Sequence, residues 1–330
     1  MHYQLKTLGM LSLCTLLLAV SRPGTAQAEL MVDDDGAQCP KAHYANLQEA
    51  VDAARPGETL VVCPGAYPGP ITIGAEKVGV TLWGRHTKVR DRVGDPTREA
   101  VLAGSPEGTP GFAIQADDVA IIGFTIQDTG LTGIEVKPED GVTPIAGVWI
   151  EGNRLDRVGD PDVKGTDCAG GRGINFEVAT AITAMGNYIT HSCGAGIRLK
   201  SATDGLLYHN VIDGSRKRPG IAVRGGENHR IVANRSFHNR EAGISLHDSV
   251  DNVVLKNAMK GNGVPGDPLR PIPGKGSNTD ADDTTNLPLE NPPDNTWAGN
   301  RCLTENRKGL CDFSRLHEDL IPSMTWGDRG

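Results

Sequence analysis

The sequence predicts an all-β fold, a right-handed parallel β-helix with coils of about 23 residues and a short N-terminal capping helix. A segment of Gly, an aliphatic, a variable and an apolar residue occurs five times, and asparagine recurs on the same spacing. The last four segments start 23, 24 and 23 residues apart, and the gap of 40 residues before them fits one repeat plus an insertion around Asp156–Gly171. The segments are Gly133–Val136, Gly173–Phe176, Gly196–Leu199, Gly220–Val223 and Gly243–Leu246.

Asparagine marks one point of successive repeats. It lies 14 residues after the glycine in four repeats and 20 residues after it in the first. Asparagine tolerates tight turns and bonds nearby backbone, so stacked asparagines at one corner predict a hydrogen-bonded ladder. The residues are Asn153, Asn187, Asn210, Asn234 and Asn257.

The length of the repeat favours strands only. Each repeat holds two or three short runs that alternate at period 2, separated by Gly, Asn or Asp, which suits one coil of three short strands. Such coils bury little alone and must stack, with strands roughly 4.8 Å apart. Parallel crossovers are right-handed. A leucine-rich repeat is the alternative, and its leucine signature is missing.

The first coil needs a cap, because its open end would expose core and strand edges. Asn46–Glu49 predicts a helix start with a capping box, and apolar residues follow at helical spacing as far as Ala54. Pro56 and Gly57 then end the helix. The first predicted strands are Thr59–Cys63, Pro70–Ile73 and Val78–Trp83.

Residues 1–28 have the features of a secretory signal peptide. Lys6 precedes a mostly apolar run, Leu8–Val20, that is short for a bilayer span, and Ala26–Ala28 is a small-x-small cleavage site. We expect a soluble mature chain from Glu29, secreted or periplasmic and without membrane insertion. The formal net charge of −8 disfavours general nucleic-acid binding, so no nucleic-acid partner is expected.

Six cysteines follow the predicted cleavage point, and an even number in an exported chain indicates disulfides. Six cysteines allow 15 pairings, and we favour sequence neighbours because adjacent coils bring such positions together. A zinc site is the alternative, but the sequence has no matching Cys or His spacing. The favoured pairs are Cys39 with Cys63, Cys168 with Cys193, and Cys302 with Cys311.

The sequence divides into a cap, a solenoid and a C-terminal part. Residues 29–262 are the predicted β-helix with its N-terminal cap, and residues 263–296 are a connection rich in Pro, Asp and Asn, expected at the surface. Residues 297–330 are a predicted disulfide-held cap and tail. A β-helix with both ends capped need not associate, so we expect a monomer.

Residues 243–257, with the pattern Gly-Ile-x-Leu-x-x-Ser-x-x-Asn-x-Val-x-x-Asn, resemble the repeat of pectate-lyase-like parallel β-helix proteins. Residues 46–69 are similar to the N-terminal cap and first coil of many exported members. The resemblance covers roughly residues 40–262 and the disulfide-held end. Members include polyuronate lyases, glycoside hydrolases, uronan epimerases, metal-delivery proteins and proteins without known catalysis, so it implies the fold and not the activity.

Two outward columns follow from the repeat, because period 2 turns its Ile and apolar residue inward. Five coils carry them along a stripe of roughly 20 Å, which is long enough for several sugar rings. In pectate-lyase-like enzymes the groove generally lies along such a face. The columns are Glu135, Asn175, Arg198, Ala222 and Ser245, and beside them Lys137, Glu177, Lys200, Arg224 and His247.

Basic side chains on one face of an acidic protein suit an acidic polysaccharide as partner. Lyase cleavage and C5-epimerisation of a polyuronate both begin with removal of the proton next to the carboxylate, which requires a base and neutralisation of that carboxylate. The alternative is a solvated ladder of charges without function. The predicted catalytic residues are Lys200, Arg224, His247 and Asp248, and the predicted substrate-binding residues are Lys137, Glu177 and Arg198.

Three acids outside the repeats, Asp280, Asp282 and Asp283, predict a calcium-binding loop with Ca²⁺ as cofactor. The segment superficially resembles polygalacturonase acid clusters, but the spacing is too short and no Gly-His-Gly follows. A solvated loop is the alternative.

The sequence therefore favours an exported, carbohydrate-active protein that binds an acidic polysaccharide, with polysaccharide-lyase or uronan-epimerase chemistry if it is an enzyme. Lyase and epimerase share their first step, so the residues do not separate them. The alternative is a non-catalytic extracellular β-helix that acts as a binding or structural module. Metal delivery is disfavoured because the sequence lacks a His/Met/Cys cluster.

Overall fold

The computed structural model describes residues 29–85, 88–159, 170–263, 279–284, 295–306 and 308–312. Short strands stack into three long parallel sheets, which confirms the predicted all-β parallel β-helix. The predicted signal peptide, residues 1–28, lies outside the described residues. No helix within the described ranges is long and apolar enough to span a membrane.

One α-helix, α1 (Leu47–Ala53), and one 3₁₀-helix (Val89–Asp91) accompany the strands. The strands are β1 (Leu30–Val32), β2 (Thr59–Val62), β3 (Gly65–Pro68), β4 (Ile71–Ile73), β5 (Thr81–Gly84), β6 (Ala100–Ala103), β7 (Phe112–Ile114), β8 (Ala120–Ile122), β9 (Thr125–Gln127), β10 (Ile134–Val136), β11 (Ile145–Ala146), β12 (Trp149–Glu151), β13 (Arg154–Asp156), β14 (Ile174–Glu177), β15 (Ala179–Thr180), β16 (Thr183–Met185), β17 (Tyr188–Thr190), β18 (Ile197–Thr203), β19 (Leu206–Tyr208), β20 (Val211–Asp213), β21 (Ile221–Glu227), β22 (Arg230–Val232), β23 (Arg235–Phe237), β24 (Ile244–His247), β25 (Val253–Leu255), β26 (Ala258–Lys260), β27 (Ala281–Asp283) and β28 (Thr296–Ala298).

Each sheet collects one strand from successive coils. Sheet A has the order β1-β2-β5-β8-β12-β16-β19-β22-β25-β28, and sheet B the order β3-β6-β9-β13-β17-β20-β23-β26. Sheet C has the order β4-β7-β10-β14-β18-β21-β24-β27, with β11 and β15 beside it. Parallel pairing in register aligns equivalent positions, so Ile134 pairs with Ile174 and Ile174 with Ile197. The sequence repeat therefore becomes columns of side chains.

The core lies between the three sheets and consists mainly of stacked aliphatic side chains. The first inward column of sheet C is fully buried from Phe112 to Ile244. Phe112 and Phe124 meet edge to face, with 5.2 Å between ring centroids. Burial of about 25 cal/mol per Å² of apolar surface makes such columns the main source of stability for coils that cannot fold alone.

The N-terminal cap contains the predicted helix and one strand that the sequence analysis did not predict. Asn46 accepts hydrogen bonds from the backbone amides of Gln48 and Glu49, which satisfies two of the free amides of α1. Leu47, Ala50 and Val51 are buried against the first coil. The additional element, β1, pairs with β2 and extends sheet A by one strand.

Two predicted disulfides are confirmed. Cys39 is bonded to Cys63, which ties the segment after β1 to the end of β2, and Cys302 is bonded to Cys311 near the other end of the solenoid. Cys193 is also disulfide-bonded. Its predicted partner, Cys168, lies outside the described residues.

The predicted asparagine ladder is confirmed at the corner between sheets A and B. The side-chain oxygen of Asn210 accepts from the backbone amide of Asn187 at 3.0 Å and from its side-chain amide at 2.9 Å. The same contacts link the whole series. It comprises Asn153, Asn187, Asn210, Asn234, Asn257 and Asn300.

The other two corners carry shorter polar ladders that the sequence spacing did not predict. Between sheets C and A, the amide of His229 donates to Asn252 and the amide of Asn252 donates to Asn295. Between sheets B and C, the amide of Asn239 donates to Asn262, whose own amide donates to Asp280. Each corner thus gives buried backbone amides a side-chain acceptor.

The solenoid continues further than the repeat in the sequence. Strand β27, within the predicted 263–296 connection, pairs with β24, and β28, at the border between that connection and the predicted cap, pairs with β25, so the solenoid gains a rung in two sheets. Isolated bridges from Arg301 to Ala258 and from Glu305 to Ala281 extend this last coil. Residues between Asn262 and Asp280 break the 23-residue spacing and hide the rung from periodicity.

The ladder supports a stability prediction. Asn210→Ala leaves two buried amide donors of Asn187 without their acceptor and removes a donor from the Ala184 carbonyl, and each unsatisfied donor costs about 1–3 kcal/mol. We therefore expect a lower denaturant midpoint in chemical unfolding. Lys260→Ala, an exposed position of β26, is the matched control and should leave the midpoint unchanged. Equal midpoints for the two variants would show that the ladder does not stabilise the fold.

His229 supports a pH prediction. Burial lowers the pKa of His229 to about 4, and the backbone of Ala202 and the charge of Asp204 offset this only partly. The Nδ1 atom accepts from the Gly205 amide at 3.0 Å. Because the folded pKa lies below the unfolded value, stability is fully present above about pH 6.5 and decreases as the pH falls toward 4.

We expect His229→Asn, which places the common ladder residue at this point, to weaken that acid sensitivity. Denaturant unfolding at neutral and mildly acidic pH measures it. The control is His209→Asn, because His209 is exposed, has a positive φ and stacks on Tyr208. An unchanged pH dependence in His229→Asn would contradict the assignment.

Candidate functional site

Sheet C places the two predicted outward columns on one face. In register, Asn175 pairs with Arg198 and Arg198 with Ala222. In the neighbouring column, Lys200 pairs with Arg224 and Arg224 with His247. Side chains at paired positions of adjacent strands lie close together, so these five rungs form one continuous surface.

A cleft of about 430 Å³ opens on this face. Five cationic side chains and one carboxylate line it, and small residues form its floor, which makes it a basic cleft on an acidic protein. All four predicted catalytic residues and Arg198 line the cleft; Lys137 and Glu177 are not among its lining residues. The lining is Arg172, Ala195, Arg198, Lys200, Ser201, Arg218, Pro219, Ala222, Arg224, Gly225, His247 and Asp248.

Glu177 lies under the cations of the cleft. Its two carboxylate oxygens accept from Arg198 at 2.6 Å and from Lys200 at 3.0 Å. Burial tends to raise the pKa of Glu177, but the Lys200 hydrogen bond and the charges of Arg198, Lys200 and Lys137 outweigh it, so the pKa lies below its usual value. Glu177 therefore stays ionised and holds two cations in place.

Arg198 is the most constrained cation of the cleft, with 13% of its side chain exposed. Its Nε donates to the buried Asn175 at 2.7 Å, and Asn175 in turn donates to Glu135 at 3.2 Å. Burial lowers the pKa of Arg198 to about 10, and the neighbouring charge of Arg172 adds to the effect. The guanidinium remains charged at neutral pH in a fixed orientation.

Arg172 and Arg224 are the cations of the cleft that lack a direct hydrogen-bond or ion-pair partner among the described residues. Neither forms a hydrogen bond or ion pair with any residue that the structure describes, although Arg172 is partly buried. Burial lowers the pKa of Arg172, and the charges of Arg218 and Arg224 add to the decrease while Glu135 and Glu177 oppose it. Two guanidinium groups without partners at one cleft form a site for an anion.

His247 lies at the end of the same column, next to Asp248. Its Nε2 is 3.3 Å from the Asp248 carboxylate, and its Nδ1 is 2.9 Å from the Thr284 hydroxyl. Half of the His247 side chain is exposed, so the ring is open to a ligand in the cleft. This contact agrees with the predicted orientation of His247 by Asp248.

The sequence analysis missed two residues that line this cleft, Arg172 and Arg218, and a third, Glu241, that contacts Arg218. Arg172, Arg218 and Glu241 occupy the turn that precedes the repeat's glycine in three successive or near-successive coils. Glu241 lies 3.5 Å from Arg218, and burial raises its pKa although the charges of Arg218 and Arg224 oppose the shift. The sequence did contain a signal that could have identified these residues. Each charged residue lies one or two positions before the glycine that begins a repeat.

The predicted calcium ligands are not brought together among the described residues. Asp280 accepts from Asn262 and from the Leu303 amide, Asp282 accepts from Ser245, and Asp283 accepts from Trp297. All three are buried, and adjacent positions of β27 point to opposite sides of the sheet. Calcium binding there stays a prediction that this arrangement does not support.

Another acidic group, Asp33 to Asp35, has carboxylate oxygens within 4.8 Å of one another. It is the one such three-residue group in the described ranges, and all three members already accept backbone hydrogen bonds, from Cys39, Ala66 and Ala37. It lies at the N-terminal cap, away from sheet C.

Residues 132–271 match the family model described as a right handed beta helix region. This match agrees with the three parallel sheets and confirms the predicted hand and the resemblance to right-handed β-helix proteins. No curated protein sequence matches the chain.

Several solved structures are similar at low identity. Pectate lyase Pel9A is 14% identical over 88% of this chain and 83% of its own, with a TM-score of 0.46. An alginate lyase from Paenibacillus sp. str. FPU-7 is 16% identical over 65% and 78%, with a TM-score of 0.39. Tailspike protein 2 of Escherichia coli O157:H7 bacteriophage CAB120 is 14% identical over 72% of this chain, with a TM-score of 0.44; this chain covers 36% of the tailspike. These values indicate likeness of fold alone.

Two glutamates that contact cations of the cleft, Glu177 and Glu241, give a prediction about titration. We expect the Glu177 carboxyl to titrate below the ordinary value and the Glu241 carboxyl above it. Because the folded pKa of Glu177 is depressed, its ion pairs stabilise the protein above the unfolded pKa and are lost as the pH falls through the folded pKa. Carbon-13 NMR titration measures both groups, with Glu177→Gln and Glu241→Gln for assignment. Shifts in the same direction for both would contradict the arrangement.

Proposed function

We propose that the cleft on sheet C binds a stretch of acidic polysaccharide. The observation that carries this proposal is a pair of guanidiniums without a direct partner among the described residues, Arg172 and Arg224, beside the fixed guanidinium of Arg198. The planar guanidinium fork matches a carboxylate through two parallel hydrogen bonds. The prediction of substrate binding by Arg198 gains a structural reason, because Asn175 and Glu177 hold its orientation before any ligand arrives.

The shape of the cleft suits a sugar chain. Ala195, Pro219 and Ala222 provide a floor of small apolar residues on which a ring can rest, and Arg224 stands at its side. The predicted outward columns continue along the face past Glu177 to Lys137, which is exposed. A chain lying across successive rungs would meet one rung about every 4.8 Å.

The proposed reaction starts with removal of the proton next to a uronate carboxylate. Among the three predicted base candidates, Arg224 stays protonated and the Lys200 ammonium donates to Glu177, so neither has a free lone pair. His247 is the remaining candidate, and it pairs in register with Arg224. A carboxylate on Arg224 therefore brings the adjacent C–H toward the imidazole.

The proton step assigns a role to each side chain. Asp248 accepts from Nε2 of His247, which leaves Nδ1, now beside the Thr284 hydroxyl, to take the proton. The electron pair of the broken C–H bond moves into the carboxylate, and the arginines stabilise the resulting charge. Cleavage of the C4–O bond, with the proton on His247 passed to the leaving oxygen, then completes β-elimination, whereas protonation of the same carbon by solvent on the opposite face completes epimerisation and returns the His247 proton to solvent.

Export is part of the proposal. The disulfides Cys39–Cys63 and Cys302–Cys311 are typical of proteins that fold in an oxidising compartment outside the cytoplasm. A secreted or periplasmic location would place the cleft where polysaccharides are found. The predicted signal peptide would direct that export.

A panel of polysaccharides tests the proposal. The oxidised mature protein is incubated with pectate, alginate and hyaluronan, with Ca²⁺ and with chelator; ultraviolet absorbance reports unsaturated uronate ends and proton NMR reports epimerisation. We expect Arg224→Ala to weaken polymer retention and to reduce turnover about 10²- to 10³-fold. We expect His247→Gln to retain polymer but to lose about 10²- to 10⁴-fold in turnover.

Lys260→Ala is the matched control, because it removes an exposed cation from sheet B and leaves sheet C intact. Retention without turnover in the native protein would assign the chain to the non-catalytic binding modules. Absence of retention across the panel by the folded protein would refute the polysaccharide proposal itself.

A further inference from the structure

Sheet A presents a second outward face, and its chemistry differs from that of sheet C. From β5 to β28 its outward positions are apolar, aromatic, Ala or Thr at all but two places. One column reads Trp83, Ile122, Glu151, Met185, Tyr208 and Val232 in successive rungs. Trp83 and Trp149 are 43% and 39% exposed, so the face is open to solvent.

An open sheet face normally carries polar residues on its solvent side. Here the two charged positions are Glu151 on β12 and Arg230 on β22, in a protein in which 22% of residues are charged. A contiguous exposed apolar surface of this kind marks an interaction site. The expectation of a monomer rests on capped solenoid ends, so it does not address this face.

Glu151 and Arg230 have opposite charges and lie on either side of the midpoint of this face. Strands β16 and β19 lie between β12 and β22, so the midpoint of the face falls between β16 and β19. A two-fold axis through that midpoint, parallel to the strands, places β12 of one copy over β22 of another. Glu151 of each copy then faces the strand that carries Arg230 of the other copy.

We propose that sheet A binds a second copy of this chain, with the two solenoid axes antiparallel. The same rotation places Trp149 opposite Arg230 of the second copy, because both occupy the other outward column, and a guanidinium over an indole is favourable. Near the midpoint, Met185 of each copy packs against Tyr208 of the other, and Leu206 packs against Thr183. Such a contact is isologous, as two-fold dimers require.

The area of the outward face of sheet A determines how strongly two copies are expected to associate. Seven gaps between rungs give a length of roughly 34 Å, and three-residue strands give a width of roughly 10 Å, so each copy buries about 350 Å² of flat area. Stable dimers commonly bury about 800 Å² per partner. We therefore expect a dissociation constant in the micromolar range. Sheet C is a separate face, so the cleft stays open in the dimer.

Sedimentation velocity of the oxidised mature protein from about 1 to about 200 µM measures the association. Arg230→Glu and Glu151→Arg each place like charges across the contact, and each should raise the dissociation constant at least about tenfold. An equimolar mixture of the two variants restores both opposite-charge contacts and should associate like the native protein. This recovery is specific to contact between the two sites, because general damage to either variant would not be repaired by mixing.

Lys260→Glu, a charge reversal outside sheet A, is the control and should leave association unchanged. A native protein that is monomeric throughout the range overturns the proposal, as does a dimer that the charge variants do not weaken or that the mixture does not recover. Fluorescence of Trp83 and Trp149 supplies a second outcome, since a spectral shift with a neutral polysaccharide in a monomeric protein would assign the face to glycan instead.

Discussion

Parallel stacking of strands in register is the constraint on which this structure depends. Each rung repeats the position of the one before it, so Ile174 lies over Ile134 and Arg224 over Lys200. A slip of one residue would turn the inward column out to solvent and the charged columns into the core. The hydrophobic pattern therefore fixes the register, and the register in turn decides which polar side chains become neighbours. Both the core and the candidate site arise from the same alignment.

The corners secure that alignment with polar groups. Turns between sheets contain amides that cannot join a strand ladder, and buried amides without acceptors are costly. The side-chain oxygens of Asn187, Asn210 and their equivalents supply the acceptors one coil at a time. Asp280 and His229 perform the same task at the other two corners, which explains why an acid and an imidazole are buried in a solenoid otherwise built on asparagine.

Periodicity in the sequence predicted what recurs once per coil: the inward isoleucines, the main asparagine ladder and the outward columns. It failed where the spacing changes. Asn153 lies 20 residues after its glycine because the turn between β10 and β11 is longer, and the rung at β27 was assigned to a connection because residues after Asn262 interrupt the repeat. Arg172 and Arg218 lie in turns, whose side-chain directions no period specifies, so their place at the cleft became apparent only from the fold.

Pairing in register also makes the residue types on one sheet face more uniform than the composition of the whole chain would suggest. When the same outward position is polar in every rung, the face carries a polar column. When that position is apolar in every rung, the face carries an apolar column, whatever the average charge of the protein. Sheets A and C differ in this way although they enclose the same core. On sheet C the cations are divided further: Glu177 fixes Arg198 and Lys200, whereas Arg172 and Arg224 have no partner among the described residues. The proposed anionic ligand would reach Arg172 and Arg224 without breaking an internal ion pair, whereas binding to Arg198 or Lys200 competes with Glu177.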